Sequence, residues 1–200
     1  MKTHRLRMRY LVLLLFLLFS LAGCKEKTAK SIPQVNQDLT ENKSFAVSTQ
    51  YSGENTIVKG NVYVQDYGDQ VVVTLLAAVV ITQTDWGGVA FHIPKGWHLT
   101  KALSSYPDGS DVQRTQQAAV WTAADSASDW GSFVEIGRNK NQIPTSGGTG
   151  SVVLEMQPDD IRHRDDTCTI LVSVGSGIRN GIPVAGTHST RVDVAFSPAN

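Results

Sequence analysis

The chain has 200 residues, 41% of them hydrophobic, and its 18 basic residues balance 18 acidic ones to a formal charge of zero. That balance, with no run of basic residues after Arg9, offers no electrostatic footprint for a nucleic-acid partner. Two cysteines, Cys24 and Cys168, are too few for a disulfide framework or a cysteine-based zinc site.

The first element predicted is a signal segment. Lys2, Arg5, Arg7 and Arg9 precede an almost wholly apolar stretch from Tyr10 to Leu21, and a small-residue exit follows. A basic head, a short apolar run and small residues make a secretory signal peptide. About a dozen apolar residues fall short of the ~20 that cross a bilayer as a helix. The exit reads Leu21-Ala22-Gly23-Cys24 and resembles the lipobox of bacterial lipoproteins. The resemblance implies removal of residues 1–23, a diacylglycerol thioether on Cys24, and a chain held on the outer face of a cell membrane. Two or three acyl chains supply the double signal that stable anchoring requires. Losing Lys2, Arg5, Arg7 and Arg9 from the 18 basic residues leaves 14 against 18 acidic, so the exported chain is mildly acidic.

Residues 24–43 come next. From Lys25 to Lys43 the sequence is polar, poor in aromatics and without a period of 2 or 3.6, which reads as a flexible tether. A coil of ~20 residues spans roughly 25 Å, enough to clear the lipid headgroups. The remainder, 44–200, is the size of a single domain with a proper core.

Within that domain the periodicity is that of strands. Ile57 to Val64 alternates, and Tyr67-Gly68-Asp69 makes a turn. The β-branched run from Val71 to Thr82 is too apolar for a one-sided strand and reads as central and covered on both faces. Val89 to Ile93, Ala118 to Trp121, Phe133 to Gly137, Val152 to Met156, Cys168 to Val174 and Ser189 to Phe196 follow. Clusters of Gly, Pro, Asp and Ser separate them, among them Ser146-Gly147-Gly148-Thr149-Gly150. The pattern predicts an all-β fold, an antiparallel sandwich of jelly-roll or immunoglobulin-like type. Cys168, Ile170, Val172 and Val174 share one strand face, so Cys168 reads as a small core hydrophobe and not a nucleophile.

Two stretches are internally alike: Asp85-Trp86-Gly87-Gly88 and Asp129-Trp130-Gly131-Ser132 each run straight into a strand. Either the match is chance, or it marks a repeated turn with Asp capping the bend and Gly at positive φ. The segment Val71 to Trp97, with the later Gly147 to Leu154, resembles cohesin-type and related carbohydrate-binding β-sandwiches. That resemblance implies an adhesion module and brings no catalytic residues with it.

The chemistry-bearing residues are few, and no motif for a nucleophile elbow, a zinc protease or a phosphate loop occurs. His92 and His98 could bridge a metal only with a third ligand, which the sequence does not supply. The Asp159 to Asp166 stretch reads as a loop of local ion pairs, with calcium as the alternative. Neither a metal nor a cofactor is expected. Trp121 lies in an apolar run and reads as core. Trp86, Trp97 and Trp130 fall at turns, where they either plug the ends of the sandwich or form a platform for a glycan or protein ligand. Two functions stay open: a non-catalytic binding module, favoured, and a secreted hydrolase using Glu135 or Glu155 with an Asp.

Overall fold

The alternation of apolar residues becomes ten strands among the described residues: β1 (Leu39–Ser48), β2 (Ile57–Asp66), β3 (Val71–Ile81), β4 (Val89–Pro94), β5 (Trp97–Ser104), β6 (Ala118–Thr122), β7 (Trp130–Ile136), β8 (Gly148–Pro158), β9 (Cys168–Arg179) and β10 (Ile182–Val194). The computed structural model describes residues 39–49, 55–67, 69–83, 85, 88–109, 117–123, 128–138, 147–160, 167–179 and 182–195. The strands belong to one compact unit, Asp38–Asn200.

The strands form two five-stranded sheets with every pairing antiparallel. The first has the order β1-β2-β3-β8-β5 and the second β10-β9-β4-β7-β6. The all-β sandwich read from the sequence is the fold. Inward residues of β3 (Val71, Val73, Leu75, Val79) meet those of β4 and β9 (Phe91, Ile93, Ile170, Val172) in one continuous core. Cys168 is buried there as expected, and burial pushes its thiol up to about 12, with the charge of Asp193 adding to the effect. The thiol is therefore protonated and inert at ordinary pH.

Three expectations are corrected. β1 starts at Leu39, inside the stretch read as tether, and pairs with β2 from Leu39↔Gln65 to Ser48↔Ile57. Its stretch from Thr40 to Ser44 is polar because it is an edge strand: Glu41 accepts from Ala195 N at 2.8 Å, and Lys43 donates to Asp193 O, fastening the edges of the two sheets together. β3 is central in its sheet but one-sided, since Leu76 and Val80 are 40% and 42% exposed on its outer face. They pack sideways against Val153 and Ile57 on neighbouring strands, and this makes apolar residues tolerable on a wet face. Finally, Gly148 and Gly150 are strand residues of β8 and not a turn. A Cβ on Gly150 would lie 2.6 Å from Tyr106 Cα, so glycine there lets the segment after β5 press the fully buried Tyr106 into the core.

Of the repeated Asp-Trp-Gly, the second copy is described throughout and the first only at Asp85 and the following Gly88. Asp85 is buried and accepts from Gly88 N at 3.2 Å, and from Thr56 Oγ1, while Gly88 takes φ of 60°. At the second copy Trp130 already belongs to β7 and Gly131 is not among the positive-φ glycines.

Candidate binding face on the second sheet

Strand register brings one set of side chains together on the outer face of the second sheet. In β4, Val89, Phe91 and Ile93 point inward, so Ala90 and His92 point out. His92 stands opposite Phe133 of β7 on one side and Leu171 of β9 on the other. A register shift between Ile93 and Pro94 pairs Pro94 with Trp130, which returns Trp130 to the same outer face. β6 then adds Trp121, directly opposite Phe133.

The rings interlock. His92 lies 5.5 Å from the Trp130 ring at 59° and 5.0 Å from the Phe133 ring, edge-on at 76°. Edge-to-face and tilted pairs at these separations are the favourable geometries for π systems. Trp121 is 43% exposed beside them. A depression of about 330 Å³ opens between Trp121, Phe133, Glu135 and Arg138, the last two joined as an ion pair.

His92 is the hub. Its Nε2 lies 2.9 Å from Ser173 Oγ, and that hydroxyl donates to Ala90 O at 3.4 Å. In the tautomer with Nε2 protonated, the ring donates to Ser173 Oγ and the hydroxyl is free to donate to Ala90 O. Nδ1 is then a bare acceptor, buried and with no hydrogen-bond partner among the described residues. Protonating Nδ1 would create a buried donor with nothing to donate to. In keeping with that, burial lowers the His92 pKa, against the opposing pull of the Glu135 carboxylate. The neutral ring is part of the aromatic surface.

The tryptophans named from the sequence do not gather as a set. Trp130 joins this face. Trp97, the first residue of β5, is 7% exposed within the core, and its indole is not available to a ligand. Trp86 lies outside the described residues, as do Cys24 and the stretch 161–166 of the acidic loop. Trp121 is the residue that sequence reasoning misplaced. Val120 and Trp121 are adjacent and both apolar, so alternation gives no parity for this strand. The small and polar residues that follow (Thr122-Ala123-Ala124-Asp125-Ser126) are the available signal that it lies at an edge.

The remaining candidates separate as well. His98 is on the outer face of the first sheet, 2.9 Å from Asp159, far in topology from His92. Among the described residues no three His, Cys, Asp or Glu side chains gather as a metal site would require. Glu135 is on β7 and paired with Arg138; Glu155 is on β8 and paired with Lys101 at 2.8 Å. They occupy the outer faces of different sheets, so they do not flank a common cleft.

No family model and no curated protein matches the chain. Among solved structures it is similar to the KRT10-binding region domain of the pneumococcal serine rich repeat protein PsrP, at 13% identity and a TM-score of 0.32, over 78% of this chain and 99% of that one.

Proposed function

We propose that this protein is a lipid-anchored surface module that binds a protein or glycan ligand, without catalysis, on the outer face of its second sheet. The observation that supports the reading is the ring cluster of Trp130, His92 and Phe133 continuing to the exposed Trp121. Large aromatic surface held rigid by neighbouring rings supplies contact area at little entropic cost, as binding anchors do. The Glu135–Arg138 pair beside it offers fixed donors and acceptors for orientation. The anchor rests on the Leu21-Ala22-Gly23-Cys24 motif, and it would hold this face outside the cytoplasmic membrane.

Two measurements test the reading. Full-length protein in detergent is applied to glycan, cell-wall and host-protein arrays beside Trp121→Ala, Trp130→Ala and Leu76→Ala variants. Binding that survives both tryptophan changes removes the aromatic face from the account; loss with Leu76→Ala alone moves the site to the other sheet. Metabolic labelling with palmitate tests the anchor, and label retained in Cys24→Ala sinks it.

A further inference from the structure

The edges of the two sheets are guarded very unequally. β1 and β10 are tied to each other through Glu41 and Lys43. β5 carries His98 and Lys101 and is bent by a bulge between Leu99 and Lys101. Charges, bulges and covering strands are the usual ways in which a protein keeps a strand edge from pairing with another chain. Among the described residues β6 has no charge, bulge or covering strand: its five residues are Ala118, Ala119, Val120, Trp121 and Thr122.

The bonding parity of β6 is fixed by its flanks. Gly137 N donates to Gln117 O at 2.7 Å and Ala123 N to Gly131 O at 3.0 Å, so the odd-numbered residues bond to β7. Ala118, Val120 and Thr122 therefore direct their N–H and C=O groups away from the sheet. Beside this edge, between β5 and β6, lies an apolar opening of about 340 Å³ lined by Ala102, Leu103, Ala118, Val120, Val134 and Ile136. Leu103 and Val120 are 54% and 55% exposed at its rim.

We infer that β6 is the interface for a second copy of this chain, paired antiparallel about a two-fold axis through Val120. The strand is its own complement in that register. Val120 faces Val120 of the second copy and Ala118 faces Thr122, so all six outward backbone groups of each strand find partners. On the outer face the small Ala119 lies across from the large Trp121, and no charge meets its like. An extended peptide could take up the same backbone groups, but a second copy also sets its own apolar opening beside this one and its Ala119 across from Trp121. The axis stands perpendicular to the sheet, so the two second sheets merge into one of ten strands with both aromatic faces on the same side. The openings beside β5 come together beneath it. The pairing does not depend on what the aromatic face binds; if that face does bind a repeating ligand, the dimer is bivalent.

The test uses the full-length chain in detergent and in liposomes. Hydrogen-bonded antiparallel partners stand ~5.5 Å apart at Cα, so Val120→Cys should give a dimer with a short bismaleimide. Ala78→Cys, exposed on the first sheet's outer face, serves as the collision control, and the chain with its native cysteines sets the baseline. The inference expects crosslinking from Val120→Cys at least tenfold faster than from Ala78→Cys. It also expects sedimentation to show a dimer that Val120→Lys and Thr122→Pro convert to monomer with unchanged circular dichroism. Both turn their backbone groups away from the sheet, so proline at 122 removes no bond within it, and Val120 is 55% exposed at the rim of the opening, where a lysine reaches solvent. Equal crosslinking at the two sites, a monomer at every concentration, open-ended oligomers, or a dimer that survives Val120→Lys would each overturn it.

Discussion

The two sheets expose apolar surface in different ways. On the first sheet Ile57, Leu76, Val80, Leu103 and Val153 lie in cross-strand rows, with the Lys101–Glu155 pair among them. On the second, Trp130 and Phe133 are held by ring contacts to a half-buried imidazole, with Trp121 opposite Phe133. An aliphatic row is satisfied sideways by its strand neighbours and offers a ligand only area. A ring cluster with an ion pair at its margin offers area, rigidity and directional polar groups together. Exposed apolar surface alone therefore does not distinguish the proposed binding face; the way in which it is preorganised does.

The largest effects should come from beneath the faces, where they share a core. Phe91 is fully buried under the second sheet and Leu75 under the first. Phe91→Ala should cost about 3–5 kcal/mol and Leu75→Ala about 2–5 kcal/mol in urea unfolding. Each should loosen both faces, because the core is continuous. A variant that abolished one face while the other sheet melted unchanged would show that the sheets are independently stable.

Substitutions on the faces should then separate them. Trp121→Ala and Trp130→Ala should each weaken ligand binding by about 2 kcal/mol, roughly thirtyfold, as hot-spot aromatics do. Leu76→Ala and Leu103→Ala should leave affinity within about twofold. Titration of the ligand found on the arrays against the four variants measures this. Equal losses on both sheets would erase the distinction between the faces.

Much of this contrast could be read before the fold was seen, and the rest fails for identifiable reasons. The sandwich and the buried face of Cys168 follow from period-2 alternation, which is strong wherever one side of a strand is dry. β1 escaped because its stabilisation is a ladder with β2 and two side-chain ties to β10, neither of which leaves an apolar pattern in Leu39 to Lys43. Trp97 and Trp121 were exchanged, core for surface. Trp97 follows a turn but opens a strand whose first side chain points inward; Trp121 sits in an apolar run but on an edge whose core side is only half covered. Whether a tryptophan is buried depends on what stands across the sandwich, and no local pattern records that. The His92 cluster joins β4, β7 and β9, and only the register of the sheet assembles it.

Acid should act on the second face in particular. Burial holds the folded His92 pKa below its ordinary value of 6.5. The unfolded chain therefore takes up a proton near pH 6.5 that the folded ring resists. The stability conferred by the neutral ring is present in full above pH 6.5 and is lost as the pH falls from there through the lowered folded value. Ligand affinity should decline over the same range, since a charged imidazole with a partnerless Nδ1 disturbs the rings around it. His92→Gln should flatten both profiles between pH 7 and 5; a profile unchanged by that substitution would remove His92 from its place as hub.

The smallest effect is the most discriminating for the two faces, because each carries one glutamate in an ion pair. Lys101 and Glu155 face each other across β5 and β8 with their side chains 44% and 32% exposed, and such pairs contribute about 0.2–1 kcal/mol. Lys101→Ala should lower stability by no more than that and leave affinity and the acid profile where they were. Arg138→Ala removes the partner of Glu135, whose side chain is 15% exposed and whose charge already pulls upward on His92. With Arg138 gone that pull is no longer opposed, so the His92 pKa should rise towards its ordinary value and the acid limb should become shallower. The comparison is made by nuclear magnetic resonance titration of His92 in the two variants. A His92 midpoint that moves with Lys101→Ala, or stays fixed with Arg138→Ala, would mean that charge on the second face is not organised around its imidazole.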